Sequence, residues 1–594
     1  MSGFLQYFEI ELDLMRRSLS DFATANPEKA RALGLSSGRC SDPDLQRLAD
    51  GFAYVAARLH KRMDDARGDI ALELLRNIAP SLILGAPSHS YVVPASDADL
   101  PDNPVRLLAG TGVPFHHEGA VSCMYTVARP MVVSPVVLCG QRLESVPLPH
   151  PVPEGVERVE GTVVLELKSK VPGHSILQCL GPELEVYIPR NTANRRRIAE
   201  ALALDVKGVA LAPSRGAAHN ALLPIGAFMP VAAGGKDGYL PRFFAQPQGL
   251  EELHDFLAYP DRAFGFRLRH IVQGAAALRG DKAEIRIFLG RRGIEHIRRL
   301  DMGDLVINAV PCINLFKTVS EPRHYSFARD RMPVRVPRGQ GTRPTILRVL
   351  SVTQLGSDGE TPLSQLAAPA VITGAGGPVW QERLSSSEPD SARRDISLSI
   401  PEDDKLIDTG IDLIAQLLCS NGTAAMRLRP GDRTRIENDE LAEAEFTVLE
   451  EPSQAVPPRL NADRQWDLVA LIGSSFNPLT TCDDPARVLR DSLHLCAPTG
   501  YAPDAKAIVA VNLARRFAPI RLDGHNLVAS GVWVDVVIEP DELTVPPTVF
   551  GAVLADFLSS FVSHDRFLRL QLRENGADQP FFVVPRRHGS QMAS

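Results

Sequence analysis

The 594-residue sequence lacks most of the features that usually give a protein's chemistry away. Its eight cysteines (Cys40, Cys123, Cys139, Cys179, Cys312, Cys419, Cys482 and Cys496) are scattered, and no Cys-x-x-Cys spacing occurs. That excludes a zinc ribbon or a dithiol redox motif, and thiols in apolar runs suit a reducing compartment better than a disulfide framework. No stretch approaches the run of about eighteen apolar residues that a membrane-spanning helix needs. The opening MSGFLQYFEIELD is acidic and amphipathic, without the basic region and apolar core of a signal peptide. His-Glu-x-x-His is absent. Thr373-Gly374-Ala375-Gly376-Gly377 has neither the lysine nor the helix of a phosphate loop, and Gly473-Ser474-Ser475 lacks the second glycine of a nucleophile elbow. Net charge is −7, which argues against a general nucleic-acid or membrane-surface binder.

The remaining chemical candidates are thin. His116-His117-Glu118 is the densest metal-like cluster, but neighbours on a strand point apart and no second ligand pair lies near. Acidic pairs stand at Asp64-Asp65, Asp403-Asp404 and Asp483-Asp484. A glycosidase needs two carboxyls facing each other across a cleft, so these read as helix ends or turns. Two basic runs, Asn194-Arg195-Arg196-Arg197 and the series Arg323, Arg329, Arg331, Arg335, Arg338 and Arg343, lack the interleaved aromatics of single-strand binders. They read as a solvated or partner-facing charged face.

What is present is organisation. Hydrophobic residues make up 44 % and charged ones 23 %, an ordinary folded composition, and 47 prolines point to many turns and edge strands. Phe4, Phe8, Leu12, Met15, Leu19 and Phe22 recur at intervals of four, four, three, four and three, which predicts one apolar stripe on a helix. A second helix is expected from Leu45 to Met63, entered through Ser41-Asp42-Pro43, and a third through Ile70, Leu74, Leu75 and Ile78 up to Pro80. The three form either a small bundle with its own core or an apolar face partly reserved for a partner's helices. Downstream, the periodicity turns to alternation. Strands are expected at Met124–Val127, Met131–Leu138, Thr162–Lys168, Val206–Leu211, Phe264–Arg269, Glu284–Leu289, Leu305–Phe316, Thr345–Val352, Ile396–Ile400, Ile411–Cys419 and Val532–Ile538. Ile176–Leu180 and Leu184–Ile188 flank a hairpin signal at Gly181-Pro182-Glu183, and 356–377 and 385–394 read as exposed loops. Helices are expected at Ala193–Leu204, Leu250–Leu257, Trp466–Phe476, Ala486–Cys496 and Thr548–Val562. The expected fold class is α+β and multidomain: a helical unit (1–90), two β-rich domains (91–225 and 226–400) and a C-terminal α+β domain (401–594).

Several segments in order carry a resemblance. Tyr7-Phe8-Glu9-Ile10-Glu11-Leu12 is followed by Arg31-Ala32-Leu33-Gly34-Leu35, Asp42-Pro43, Phe52-Ala53 and Met63-Asp64-Asp65. Phe256-Leu257-Ala258-Tyr259-Pro260-Asp261, then Asn314-Leu315-Phe316 with Glu321-Pro322, Trp466-x-Leu468, and Gly551 through Leu558 continue the series. Together they resemble the TssF family, also called ImpG or VasA, of bacterial type VI secretion systems. Departures are Ala79-Pro80-Ser81-Leu82, where the family has Tyr-Pro-His-Tyr, and Pro260-Asp261-Arg262 for Pro-Glu-Lys.

The resemblance implies a baseplate wedge subunit without catalytic activity or cofactor, cytoplasmic and assembled at the inner face of the inner membrane. In the family, two TssF copies join one TssG, and the wedge connects to TssK, TssE, the spike hub and the sheath. No nucleic acid, membrane insertion or small-molecule substrate is implied. Expected partner-facing residues are Phe4, Tyr7, Phe8, Leu12, Met15 and Leu19, and Asn314, Leu315, Phe316, Glu321 and Pro322 form the family motif. The competing readings are a wedge of another phage-tail-like device, a carbohydrate-active hydrolase and an RNA-binding assembly protein.

Overall fold

Alternation in the sequence becomes alternation of burial. Val532, Val534, Val536 and Ile538 are all buried along one strand of the computed structural model, as are Leu568, Leu570 and Leu572 on its neighbour. Residues 2–32, 35–36, 39–40, 43–117, 120–213, 215, 217–219, 221–234, 237–241, 248–275, 278–337, 344–356, 359–366, 378–385, 393–401, 404–458, 462–474, 482–522, 525–564 and 566–589 are described. The glycine-rich segment Thr373–Gly377, Asp42, Asp403, Glu118, Arg338 and Arg343 lie outside them. The fold is α+β, and its contacts divide it into Met1–Ile78 with Leu460–Gly473, and Ala79–Arg459 with Ser474–Ser594.

The smaller unit is helical. A first helix, Ser2–Ala25, and a long helix, Pro43–Ile78, pack together, and Ala462–Gly473 returns to lie on the long helix. Two expected helices are therefore one, of 36 residues. The segment joining them, Asp64 to Asp69, holds no proline, and its single Gly68 costs only about 1 kcal/mol, too little to break a helix that is packed on both sides of it. Pro43 opens the helix, where its missing N–H is not needed.

The larger unit is a series of sheets. One is six-stranded, ordered Arg433–Arg435, Glu445–Val448, His89–Pro94, Val310–Ile313, Ala120–Val127, Gly112–His117, over a core that includes Val92, Tyr125 and Phe446. A five-stranded sheet joins Val136–Ser145, Gly161–Ser169, Lys282–Leu289, Val206–Ala212 and Ala221–Leu222. Another builds on Thr345–Gly356 paired with Ile411–Ser420, with Trp380 buried in the adjoining core. Glu183–Tyr187 pairs with Gly265–Arg269 and Val306–Ile307, not with Ile176–Cys179, which is a short helix. The expected hairpin is thus absent, because Ser175 and Gln178 form a capping box that starts a helical turn instead. Within the first expected loop Gly359–Leu363 is a strand, and the second meets the strands Trp380–Ser385 and Arg393–Leu398 at its two ends.

At the C-terminal end, His525–Ile538 and Phe567–Glu574 run parallel, joined through the helix Pro547–Ser559. Such a parallel pair requires a crossover of this kind. The helix is buried on nearly every side and also lies on Gln248–Ala258. Gly249 permits that crossing: a Cβ there would meet the Asp556 carbonyl oxygen at 2.0 Å. Phe557 is 1 % exposed and stacks edge-on against Phe561 at 5.0 Å. Phe557→Ala should therefore cost the larger unit about 3–5 kcal/mol, as aromatic truncations in close-packed cores do. Chemical denaturation followed by tryptophan fluorescence reads this, and an unchanged midpoint would contradict the packing described.

Candidate protein–protein interface

On the first helix, the residues expected to face a partner are partly used within the chain. Phe4 and Phe8 meet Tyr54 edge-on at 5.3 and 6.3 Å. Tyr7 meets His60 edge-on at 5.5 Å and donates its hydroxyl hydrogen to Asp64 at 2.8 Å. Leu12, Met15 and Leu19 are half-buried. Asp64, read as part of a helix end, instead sits within the long helix as that acceptor. Close approach is possible because Ala53 and Ala57 of the long helix carry no more than a methyl group and are fully buried.

The long helix has a second apolar face, and it is exposed. Leu48, Phe52, Val55, Leu59, Met63, Ile70 and Leu74 recur at helical spacing, and most are about 60 % accessible, Phe52 at 60 % and Met63 at 64 %. Single exposed apolar residues are ordinary, but a continuous row of this length marks an interaction surface. The signal was in the sequence, since Leu48 to Met63 fall on one helical face; what the sequence did not show is which stripe the chain covers itself.

The family motif turns inward. Asn314 is fully buried; its amide donates to the Met124 carbonyl (2.7 Å) and to Asn421 Oδ1 (2.9 Å), and its Oδ1 accepts from Ser420 Oγ (2.8 Å) and the Asn421 amide (2.7 Å). The Leu315 carbonyl accepts from Thr126, Phe316 pairs with Cys419, and the Glu321 amide donates to the Arg335 carbonyl. Pro322 is exposed. These residues knit three segments together and present little to a partner.

The sequence also gave no sign of an array of buried charge. Asp261 accepts from Arg190 (2.5 Å), Arg195 (2.7 Å) and His89 Nε2 (3.2 Å), while Tyr187 donates to Glu450 at 2.7 Å. Arg129 grips Glu185 with both nitrogens at 2.7 and 2.5 Å, Arg267 adds a third contact, and Arg262 binds Glu252 and Asp255. Arg196 bonds Leu543 and Pro540 carbonyls and Asp541. The first basic run, read as a solvated or partner-facing face, is thus spent inside the chain at Arg195 and Arg196. Burial alone would raise both carboxyls, but His89, Arg190 and Arg195 hold Asp261 well below the usual carboxylate range, and Arg129 and Arg267 hold Glu185 below it.

Ser453 Oγ, His89 Nδ1 (2.6 Å) and Asp261 succeed one another as in a hydrolase triad. His89 is 1 % exposed, Asp261 is neutralised by two arginines, and Ser453 Oγ also accepts the His89 amide at 2.9 Å. The arrangement is a hydrogen-bonded lock and not a poised nucleophile. His116 is exposed on its strand, and among the described residues no three His, Cys, Asp or Glu converge as a metal site.

A family model described as "Type VI secretion system, TssF" matches residues 1–591. The type VI secretion system component TssF1 of Pseudomonas aeruginosa is 24 % identical over 622 aligned positions, spanning 96 % of this chain and 96 % of that protein. A chain in the cryo-electron microscopy structure of a type VI secretion TssK-TssF-TssG baseplate subcomplex superposes with a TM-score of 0.68 at 17 % identity, covering 92 % of this chain and 99 % of that one. That likeness shows the fold.

Asp261 makes the lock pH-dependent in a definite direction. A carboxyl whose folded pKa is depressed stabilises the fold above its unfolded value of about 3.9 and loses that contribution as pH falls toward the folded value. Glu200, Asp504 and Asp556, which burial shifts upward, act in the opposite sense. Asp261→Asn should therefore destabilise the fold at pH 7 by about 2–4 kcal/mol, chiefly by leaving the largely buried Arg195 without its carboxylate, and should flatten the loss of stability on acidification. Thermal midpoints from pH 7 down to pH 3 test this; parallel curves for the two proteins would refute it.

Proposed function

The chain belongs to the TssF family of the type VI secretion system, and from that premise we propose that it works as a structural wedge of the secretion baseplate. What supports this reading most is the continuity of the family match over residues 1–591, which takes in both the helical unit and every sheet. The partners are TssG and TssK, with a second copy of this chain beside TssG and connections to TssE, the spike hub and the sheath. The work is mechanical and not catalytic: interfaces held in one packing before firing repack when the sheath contracts. Assembly takes place at the cytoplasmic face of the inner membrane. No helix among the described residues is long and apolar enough to cross a membrane.

Within this reading the helical unit is the assembly device. Phe4, Tyr7, Phe8, Leu12, Met15 and Leu19 brace the long helix, and the row from Leu48 to Leu74 receives helices of TssG or of the second copy. Two variants separate bracing from docking. Deleting residues 1–25 should abolish co-purification with TssG. Leu59→Glu combined with Met63→Glu, two changes at exposed positions, should weaken it by at least about tenfold while leaving thermal stability within about 0.5 kcal/mol. Undiminished recovery of TssG by both folded variants would remove the helical unit from the interface.

A further inference from the structure

The longest strands in the molecule, Ile508–Leu522 and His525–Ile538, pair with each other over their whole length, down to Leu522 opposite His525. Among the described residues, only Gly531–Ile538 has a third strand beside it, Phe567–Glu574. From Phe517 opposite Ser530 outward, the hairpin is a two-stranded ribbon that runs beyond its sheet. A lone ribbon is marginally stable in water, so an extension of this kind needs a reason.

Its side chains supply one. Register and the twofold alternation of strands place Ala518, Ala529 and Trp533 on one face with Phe567, and these pack together. Gly531 makes room there, since a Cβ at that position would meet the Phe567 ring at 2.3 Å. On that face the Arg516 and Arg569 guanidiniums lie on the Trp533 ring, 4.8 and 4.5 Å from its centre, and Arg586 lies over Phe567 at 5.2 Å while donating to the Pro519 carbonyl. The opposite face carries Phe517, 78 % exposed, and Val528, 74 % exposed, with Arg515 two residues before Phe517.

Four arginines are thus collected at one end of a chain whose net charge is −7. Elsewhere the chain pairs its buried arginines with carboxylates, as at Arg129, Arg262 and Arg394. Among the described residues, no carboxylate pairs with Arg515, Arg516, Arg569 or Arg586. Tryptophan flanked by arginine on one face, and an exposed phenylalanine on the other, are residue types enriched at interface hot spots. Guanidiniums already aligned on a ring keep their donor edges free for bidentate contact with carboxylates. Nucleic acid fits less well, because a Phe–Val patch has no use against phosphate and the chain as a whole repels polyanions.

We infer that the end of the hairpin Ile508–Ile538 is a docking arm, which a protein partner receives in a groove lined with carboxylates around an apolar floor. This rests on the baseplate reading, which makes the partner a neighbouring baseplate subunit. The test uses the full-length chain against purified TssG, TssK and TssE, each titrated separately at low and at elevated salt. Arg516→Glu with Arg569→Glu should weaken one of the three by at least about tenfold, and Phe517→Ser should weaken the same one. Salt should weaken the wild type more than the charge-reversed variant. If both variants bind all three subunits as the wild type does, the arm is overturned and the baseplate reading stands. If the wild type binds none of them, both readings fall. A labelled DNA duplex that binds the wild type and not the charge-reversed variant, with subunit binding unaffected, also overturns the arm as a protein-docking element.

Discussion

Asp261 has been taken out of water together with His89 and most of Arg195, with the half-buried Arg190 closing over it, and these segments of the larger unit are tied together by that arrangement. The groups come from residues 89, 190–195 and 261, and Glu450 and Ser453 join them through Tyr187, Arg190 and His89. Each ion brought into such an interior costs several kcal/mol of hydration, and the Coulomb attraction offsets this only when geometry and hydrogen bonds are nearly complete. Here they are: both oxygens of Asp261 and both of Glu450 have partners. An apolar core of the same volume could be as stable, but it would tolerate several alignments of these segments. Charges that must each find a particular partner tolerate one.

That demand for a single alignment suits a part that transmits force. A subunit that must pass a rearrangement from one neighbour to another needs a body that does not yield and a surface that does. The larger unit has the buried cores and internal ion pairs of the first kind. The helical unit has the opposite character. Its buried apolar residues are few, chiefly Ala30, Ala53, Ala57, Ala71, Leu72, Leu75 and Leu468, against a row of exposed Leu, Phe, Val and Met on the long helix. With so little area removed from water, that helix gains little stabilisation from contacts within the chain.

How far the sequence revealed this depended on the range of the interaction. Period-two alternation located the strands at Thr162–Lys168 and Val532–Ile538, and period-3.6 spacing located the helix buried around Phe557, because each reports a local relation between neighbours on one face. Interactions between distant segments were invisible. Arg195 looked like a solvated charge because Asp261 is 66 residues away, and Glu183–Tyr187 looked like half of a hairpin because its true neighbours are Gly265–Arg269 and Val306–Ile307. The exposed row on the long helix lay between these cases. Its periodicity was plain, yet the same pattern describes a core, and only the packing of Phe4, Tyr7 and Phe8 on Tyr54, His60 and Asp64 separates the covered face from the open one.

The two open surfaces differ in a way that bears on how such a subunit is built into a larger body. The row on the long helix is almost purely apolar, so its association gains mainly from area and is insensitive to salt. The hairpin end combines a small apolar patch with arginines that pair with no carboxylate among the described residues, so charge favours selectivity and rate of encounter there. An apolar seam of matching width accepts many helices, whereas a charged ribbon is penalised severely by a wrong partner, since misplacing it would bury guanidiniums without counter-charges. A subunit carrying both can form a permanent core through the first and leave the choice of neighbour to the second.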